Sequence, residues 1–435
     1  MSCLSFALVA VALLGAACAQ MKPGSKTLSS ISPPASVCTV LTQSPVANRV
    51  TYPGQSVYNA SLASYFDIKS RLTPTCIVQP TTAKEVSTIV KPLIATSLLK
   101  TCQFAVQSGG HTPIPGANNF EDGVTIDLLH MNGTSYNAKS KVVLADGRIV
   151  NANKKTNADL FTALKGGNSN FSIVTRYDME TFKNEDLWGG TVSWPASAVN
   201  QHFKSLVNFG LDPNRNPNAA LILFQGHSTA SPVDFVRAAF DYTKPVVRPA
   251  AYNEFLAVNN TISDSTKTQP MSATAADFGS DTTKRVQFRT LSFKINLATL
   301  QEIARLYNMV ITELQAKASG QWRVSCLHQI LATSYTANST ARDGNVLGLE
   351  RYSENFIMYQ TYLLWFKAKD DERFIGLGKM LTDGIQKFAA EKGTAVDYLY
   401  LNYADKDQDP LSAHGSDKVA FMKKVAKKYD PFGVY

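Results

Sequence analysis

The chain has 435 residues, 44% hydrophobic and 18% charged, which excludes a disordered chain and allows about two or three domains. Basic residues outnumber acidic ones, 43 to 34, for a net charge of +9. No basic run is interleaved with aromatics, so a nucleic-acid partner is not expected. The densest cluster, Lys423, Lys424, Lys427 and Lys428, alternates at helical spacing with Val419, Met422, Ala426 and Tyr429. It reads as the solvated side of an amphipathic helix.

Residues 1–19, "MSCLSFALVAVALLGAACA", are uncharged and apolar and end in Ala17-Cys18-Ala19. The pattern is that of a signal peptide cleaved before Gln20, although its start lacks the usual basic residue. The run falls short of the ~20 residues a membrane span needs, and no later segment is apolar enough. A secreted, extracellular protein with no membrane partner is expected. Cleavage leaves Cys38, Cys76, Cys102 and Cys326, none at metal-ligand spacing, so no metal is expected. In an oxidising compartment a disulfide among the first three is expected, Cys38–Cys102 in first place, with Cys76 read as a buried strand thiol. Five glycosylation sequons, at Asn59, Asn132, Asn170, Asn259 and Asn338, accord with secretion.

Residues 20–36, rich in Ser, Pro and Lys, read as a leader. "PTCIVQP" and "CQFAVQSGG" are short apolar strands, and "TAKEVSTIVKPLIATSLL" between them has helical spacing, capped by Thr81 or Thr82 with Glu85 just inside. "GVTIDLLHM" and "KVVLADGRIVNAN" follow as strands, the second with a hairpin turn at Asp146-Gly147. "NADLFTALKGG" is a helix stopped by glycine, and "FSIVTRYDMETF" another strand. From residue 188, alternating strands such as "AALILFQG" and "RVQFRTLSFKI" are interspersed with two long amphipathic helices, "LATLQEIARLYNMVITELQAKA" and "DERFIGLGKMLTDGIQKFAAEKG". This is the pattern of an antiparallel sheet covered by helices, running to about 392. "VDYLYLNYADKDQDP" reads as a strand that sets Tyr400 and Asn402 on one face and Tyr403 on the other. A capped helix from Ser416 closes the chain.

The stretch "QSGGHTPIPG", 107–116, sets one histidine behind two glycines in a turn stiffened by two prolines. A strand running into this turn and then into "GVTIDL" resembles the vanillyl-alcohol-oxidase/p-cresol-methylhydroxylase superfamily of FAD enzymes, above all its secreted, berberine-bridge-enzyme-like fungal members. "LADGRIVNAN…DLFTALKGGNSNFSIVTRYDMET" is similar to the second half of the same flavin domain, and "YLYLNY" to its C-terminal Tyr-x-Asn strand. The resemblance spans nearly all of the mature chain.

The resemblance implies an α+β fold. A two-part PCMH-type FAD-binding domain would occupy 37–187, shortened near 133–141, a substrate domain 188–392, and a return to the first domain 393–435. It implies FAD as cofactor, with Ser108, Gly109, Gly110, His111 and Gly116 against it and His111 as the covalent anchor. Gly166, Gly167, Asn168, Ile173, Val174 and Asn402 would also line it. Tyr400 is the candidate catalytic base and Tyr403 the second, on the condition that nearby positive charge lowers the hydroxyl pKa. A monomer acting on a small alcohol or sugar, with oxygen as a possible acceptor, is implied; oxidase or dehydrogenase stays open.

Three residues depart from the family pattern: Gln107 for arginine, Ile114 for tryptophan and Ser172 for glycine. Between Asn132 and Val142 only "GTSYNAKSK" remains where the family places several dozen residues, including the second covalent anchor. Two readings follow: a secreted FAD-dependent oxidoreductase, or a catalytically inactive homologue with a binding role only.

Overall fold

The computed structural model describes residues 33–98, 102–134, 141–181, 183, 185–231, 233–276 and 283–435; the expected signal at 1–19 and most of 133–141 lie outside them. Strands β1 (Val50–Thr51), β2 (Cys76–Val78), β3 (Phe104–Gln107) and β4 (Val124–Asp127) form a first sheet in the order β1–β2–β4–β3, parallel except for β1. Helices α1 (Pro33–Thr42), α2 (Ser56–Ala63) and α3 (Ala83–Leu98) accompany it. All three residues of β2 are fully buried, which is why the strand is an unbroken apolar run. At the start of α3, Thr82 Oγ1 accepts the Glu85 N–H and the Glu85 carboxylate accepts the Thr81 N–H, a reciprocal cap. Val86, Ile89, Val90 and Leu93 then place the apolar stripe of α3 in one core with β2 and β4.

The insertion of β4 between β2 and β3 corrects the expected disulfide. Cys38 of α1 is bonded to Cys76 at the start of β2, with Cα atoms 6.2 Å apart, and Cys102 is a free, buried thiol. Cys102 leads into β3, two strand positions from β2, or about 10 Å at ordinary strand spacing. Cys76 is buried in a strand as expected, but not as a thiol.

A second sheet joins β5 (Lys141–Leu144), β6 (Ile149–Val150) and β7 (Ser172–Arg176) in the order β6–β5–β7. Gly147, at φ +77°, makes the expected hairpin turn between β5 and β6. Helix α4 (Ala158–Leu164) precedes β7.

The third sheet is antiparallel and has nine strands: β8 (Leu187–Pro195), β9 (Ala219–Ser228), β10 (Phe235–Tyr242), β11 (Ser263–Asp264), β12 (Lys267–Gln269), β13 (Arg285–Lys294), β14 (Trp322–Leu331), β15 (Phe356–Trp365) and β16 (Ala395–Val396). The central order is β8–β10–β9–β14–β15–β13–β16. Helices α5 (Val199–Leu211), α6 (Leu297–Lys317) and α7 (Asp371–Glu391) cover one face. Leu221, Leu223, Leu291, Phe293 and Ile357 from the strands meet Phe203, Leu206, Leu300, Ile303 and Leu381 from the helices. Each such side chain contributes about 1.5–3 kcal/mol on burial.

Strand alternation sends the intervening residues to the opposite face. One cross-strand row there runs Phe235, Gly226, Ser325, Tyr362, Phe288, through β10, β9, β14, β15 and β13. Beyond β13 the sheet nearly ends, because β16 pairs only Ser292 and Phe293. The Gln408 carboxamide completes the edge, accepting from the Thr290 N–H at 3.0 Å and donating to the Thr290 carbonyl at 2.7 Å.

Helix α8 (Ser416–Tyr429) starts after Gly415 without the expected side-chain cap. Met422, Val425 and Tyr429 share a core with Leu160 and Ala163 of α4, and the four lysines are exposed. Among the described residues no helix is long and apolar enough to cross a membrane, and no His/Cys/Asp/Glu group could hold a metal ion.

Candidate active site

Past Gln107 the chain leaves β3 and turns through Ser108–Gly116. Gly110 and Gly116 take φ of +62° and +87°, the left-handed region that favours glycine. A Cβ on Gly109 or Gly116 would meet nothing within 4 Å. The Gly110 carbonyl accepts from the Phe66 N–H at 3.0 Å, whereas the N–H groups of Gly109, Gly110 and His111 donate to no acceptor among the described residues. Unspent N–H groups on a loop stripped of Cβ atoms fit the diphosphate of a dinucleotide cofactor.

Beneath the loop, Gln107 is buried and its Nε2 donates to Ser64 Oγ at 2.9 Å. The buried Asp127 carboxylate accepts from Ser61 Oγ and Gln79 Nε2, each at 2.7 Å, and from the Leu129 N–H at 3.0 Å. With glutamine at 107, neutral donors hold this carboxylate.

His111 itself is exposed and lies nearly parallel on Phe66, with ring centroids 4.1 Å apart and planes 14° apart. The rings continue from there. Phe66 packs on Phe288 at 5.8 Å, and Phe288 on Tyr362 at 5.3 Å and Tyr403 at 6.3 Å. Tyr403 meets Tyr400 edge-on at 4.9 Å. Residues from the β3 loop, the segment after α2, the third sheet and the C-terminal return thus converge on one array.

The C-terminal return is not the expected strand. Leu401–Tyr403 form a tight 3₁₀ turn, with the Tyr403 N–H on the Tyr400 carbonyl at 2.9 Å. The β13 edge that a strand would occupy is taken instead by Gln408. Tyr400, Asn402 and Tyr403 are therefore grouped on the turn and not divided between two faces. Asn402 Nδ2 donates to the Tyr400 hydroxyl at 2.8 Å, and Gln329 Nε2 to the Tyr403 hydroxyl at 3.1 Å. Burial pushes the Tyr403 hydroxyl pKa up, contrary to what a tyrosine base requires.

Two ties fix this geometry. Buried Asp67 takes the Val286 N–H and pairs with Lys69, whose Nζ donates to the Val286 carbonyl, joining the segment that carries Phe66 to β13. Arg289 of β13 pairs with Asp405 at 3.3 Å and Asp407 at 2.6 Å, anchoring the return that carries Tyr400. Its guanidinium holds the Asp407 carboxyl below the usual range.

The second glycine stretch is built differently. A Cβ on Gly167 would stand 2.4 Å from the Ala163 carbonyl and 2.6 Å from the Phe171 ring, and one on Gly166 2.7 Å from Leu347. These glycines, expected to line the cofactor, admit neighbouring protein. Ile173 is 4% exposed in the core of the first sheet, and Val174 packs into the α4–α8 core. Both have apolar protein neighbours where cofactor was expected. Asn168 is exposed at φ +59°, and the hydroxyl of buried Ser172 has no partner among the described residues.

The free thiols are sealed. Burial raises Cys102 to about 11 and Cys326, on the covered face under Tyr359, to about 12. A cavity of about 490 Å³ beside α5 is lined by Asn208, Arg215 and Glu254 and by no residue of the ring array.

Phe66, Phe288, Tyr362 and Gln329 were not singled out in the sequence. Period-two alternation in "RVQFRTLSFKI" pairs Phe288 with Val286 and Thr290, but nothing in it says which face carries the ring array.

The α+β fold, with a glycine loop at the end of a parallel strand facing a ring-lined sheet, is that of solved flavoprotein oxidases. No protein-family model matches the chain. The FAD-dependent monooxygenase drtC of Aspergillus calidoustus is 30% identical, over 92% of this chain and 88% of that protein. The fold is similar to that of xylooligosaccharide oxidase from Myceliophthora thermophila C1, with TM-score 0.71, 17% identity, and 92% of this chain and 97% of that one covered. It is also similar to glucooligosaccharide oxidase from Acremonium strictum, which carries a 6-S-cysteinyl, 8α-N1-histidyl FAD, with TM-score 0.67, 14% identity, and 92% and 97% covered. The chain belongs to the family of the fungal FAD-dependent monooxygenase it matches, and its fold is that of the PCMH-type FAD-binding oxidases. The alignment with the Aspergillus relative runs over 466 positions, more than the 435 residues of this chain, so that relative has residues with no counterpart here.

Proposed function

We propose that this chain is a secreted enzyme that oxidises an alcohol group of a carbohydrate or secondary metabolite by hydride transfer to FAD held at His111. The observation that carries the reading is the ring array from His111 through Phe66 and Phe288 to Tyr403 and Tyr400, beside a loop with free N–H groups. When bound, the flavin supplies the two-electron acceptor. Ser108, Gly109, Gly110 and Gly116 would hold its diphosphate, and the exposed imidazole of His111, kept flat by Phe66, is the candidate covalent anchor. Tyr400, as the phenolate that the Asn402 amide N–H would stabilise, would take the proton of the substrate hydroxyl at its Oη. Tyr403 ranks below it because burial favours its neutral form. Asn59, Asn132, Asn259 and Asn338 are exposed, which supports glycosylation and secretion; Asn170 spends its amide on the Gly167 carbonyl.

The purified protein should be yellow, its colour should survive acid precipitation, and His111→Ala should release the flavin. Released hydrogen peroxide would mark an oxidase, and oxygen incorporated into product a monooxygenase. Detection in culture medium with a mature terminus at Gln20 tests secretion.

One observation favours a second reading. The relative's unmatched positions, together with the short "GTSYNAKSK" link, accord with an inactive homologue that only binds ligand. A folded but colourless protein would decide for it.

A further inference from the structure

The open face of the third sheet carries two arginines that the proposed oxidation does not use. Arg237 of β10 and Arg323 of β14 lie on either side of the row Phe235–Gly226–Ser325, one pair position away in opposite directions. Arg237 is half-buried, its Nε donates to Ser193 Oγ at 2.8 Å, and its guanidinium lies 4.8 Å from the centre of the Phe235 ring. That leaves the two Nη groups unspent. The Phe235 ring covers Gly226, where a Cβ would stand 2.4 Å from it. Neither arginine has a carboxylate partner among the described residues, and Asp234, nearest in sequence, is engaged by His227. Arg323 is exposed and Arg237 partly desolvated, and a half-buried guanidinium beside a like charge is unfavourable without an anion. Burial, and then the Arg323 charge, depress the Arg237 guanidinium, which accords with an absent counter-charge. Between the arginines and Phe288, Ser325 and Gln360 are each 4% exposed, and their hydroxyl and carboxamide have no partner among the described residues.

We propose that Arg237 and Arg323 bind the carboxylate of an extended aromatic substrate whose alcohol reacts beside Phe288 and Tyr400, with Ser325 and Gln360 as polar contacts between. Phe224 and Phe235 supply the aromatic lining, and the free fork of Arg237 suits a planar, bidentate carboxylate. Gly226 lies three strands from Phe288, about 14 Å at ordinary strand spacing, which sets the length of the substrate. The inference rests on the oxidoreductase reading for the reacting end alone.

Calorimetric titration of the full chain as purified, with benzoate as probe, tests it. Saturable benzoate binding is expected, weakened about tenfold or more by Arg237→Gln and by less in Arg237→Lys and Arg323→Gln. Benzyl alcohol, the neutral control, should not distinguish the variants. No saturable benzoate binding, or equal affinity in an Arg237→Gln protein with unchanged circular dichroism, overturns the proposal. Tighter binding of phenyl phosphate than benzoate, lost in the same variants, overturns the carboxylate assignment in favour of a phosphate. The titration does not require flavin. A colourless protein that still binds benzoate through Arg237 would therefore refute the redox reading, and with it the reacting end, and sustain the carboxylate site.

Discussion

The two faces of the nine-stranded sheet are made by one alternation and put to opposite uses. The covered face seals even its polar groups: among the described residues, neither the ring nitrogens of His328 nor the Tyr307 hydroxyl find a hydrogen-bond partner. The opposite face carries Arg237, half-buried with its Nη groups unspent, above the nearly buried Ser325 and Gln360, whose polar atoms have no partner among the described residues. A buried polar group without a partner costs stability, whereas an accessible one is available to a ligand. Substitutions on the first face should therefore register in folding, and those on the second in binding and turnover.

Leu223→Ala is expected to do the most damage, about 4 kcal/mol, because the side chain is fully buried in the main core. Urea unfolding measures it; a loss below about 1 kcal/mol would break the contrast. His328→Leu tests the same face through pH. Burial depresses His328 to about 3, so the imidazole stays neutral in the folded chain while the unfolded chain takes up a proton below about pH 6.5. Stability is thus lost as pH falls from about 6.5 towards 3. The leucine variant should gain about 3 kcal/mol on wild type between pH 7.5 and pH 4. Equal pH slopes would show that the ring is not sealed.

On the open side, Tyr400→Phe should lower turnover about a hundredfold with little change in unfolding midpoint, and Tyr403→Phe should lower it less. The reverse ranking would reassign the base. Phe224→Ala is expected to have the smallest effect. Its half-buried ring neighbours Leu223 in sequence yet belongs to no core, so about 1 kcal/mol or less is expected. A loss comparable to that of Leu223→Ala would mean that the second face is covered as well.

Legibility in the sequence followed the range of the interactions. The helices at 297–317 and 371–391 and the hairpin at Gly147 are set by spacing and turn chemistry within a few residues, and all are found where expected. The His111 loop was readable for the same reason. Strand order is not local, and the insertion of β4 is what redirected Cys38 from Cys102 to Cys76. "YLYLNY" has strand composition, but a side chain from residue 408 occupies the edge it would have paired with. The glycines at 166 and 167 look like the one at 109, and only the Phe171 ring and Leu347 reveal their tighter packing. Phe66 belongs to no motif at all.

The Gln408 contact has a consequence for life in a crowded solution. A strand edge with free N–H and C=O groups is a template on which another chain can dock and from which filaments can grow. One carboxamide, giving and taking a hydrogen bond at Thr290, occupies part of that template, and the ion pairs of Arg289 with Asp405 and Asp407 hold the segment in place. Gln408→Leu should leave the fold intact and expose the edge, so that light scattering on gentle warming rises well before the chain unfolds. The return that carries the tyrosines thereby also covers part of the β13 edge.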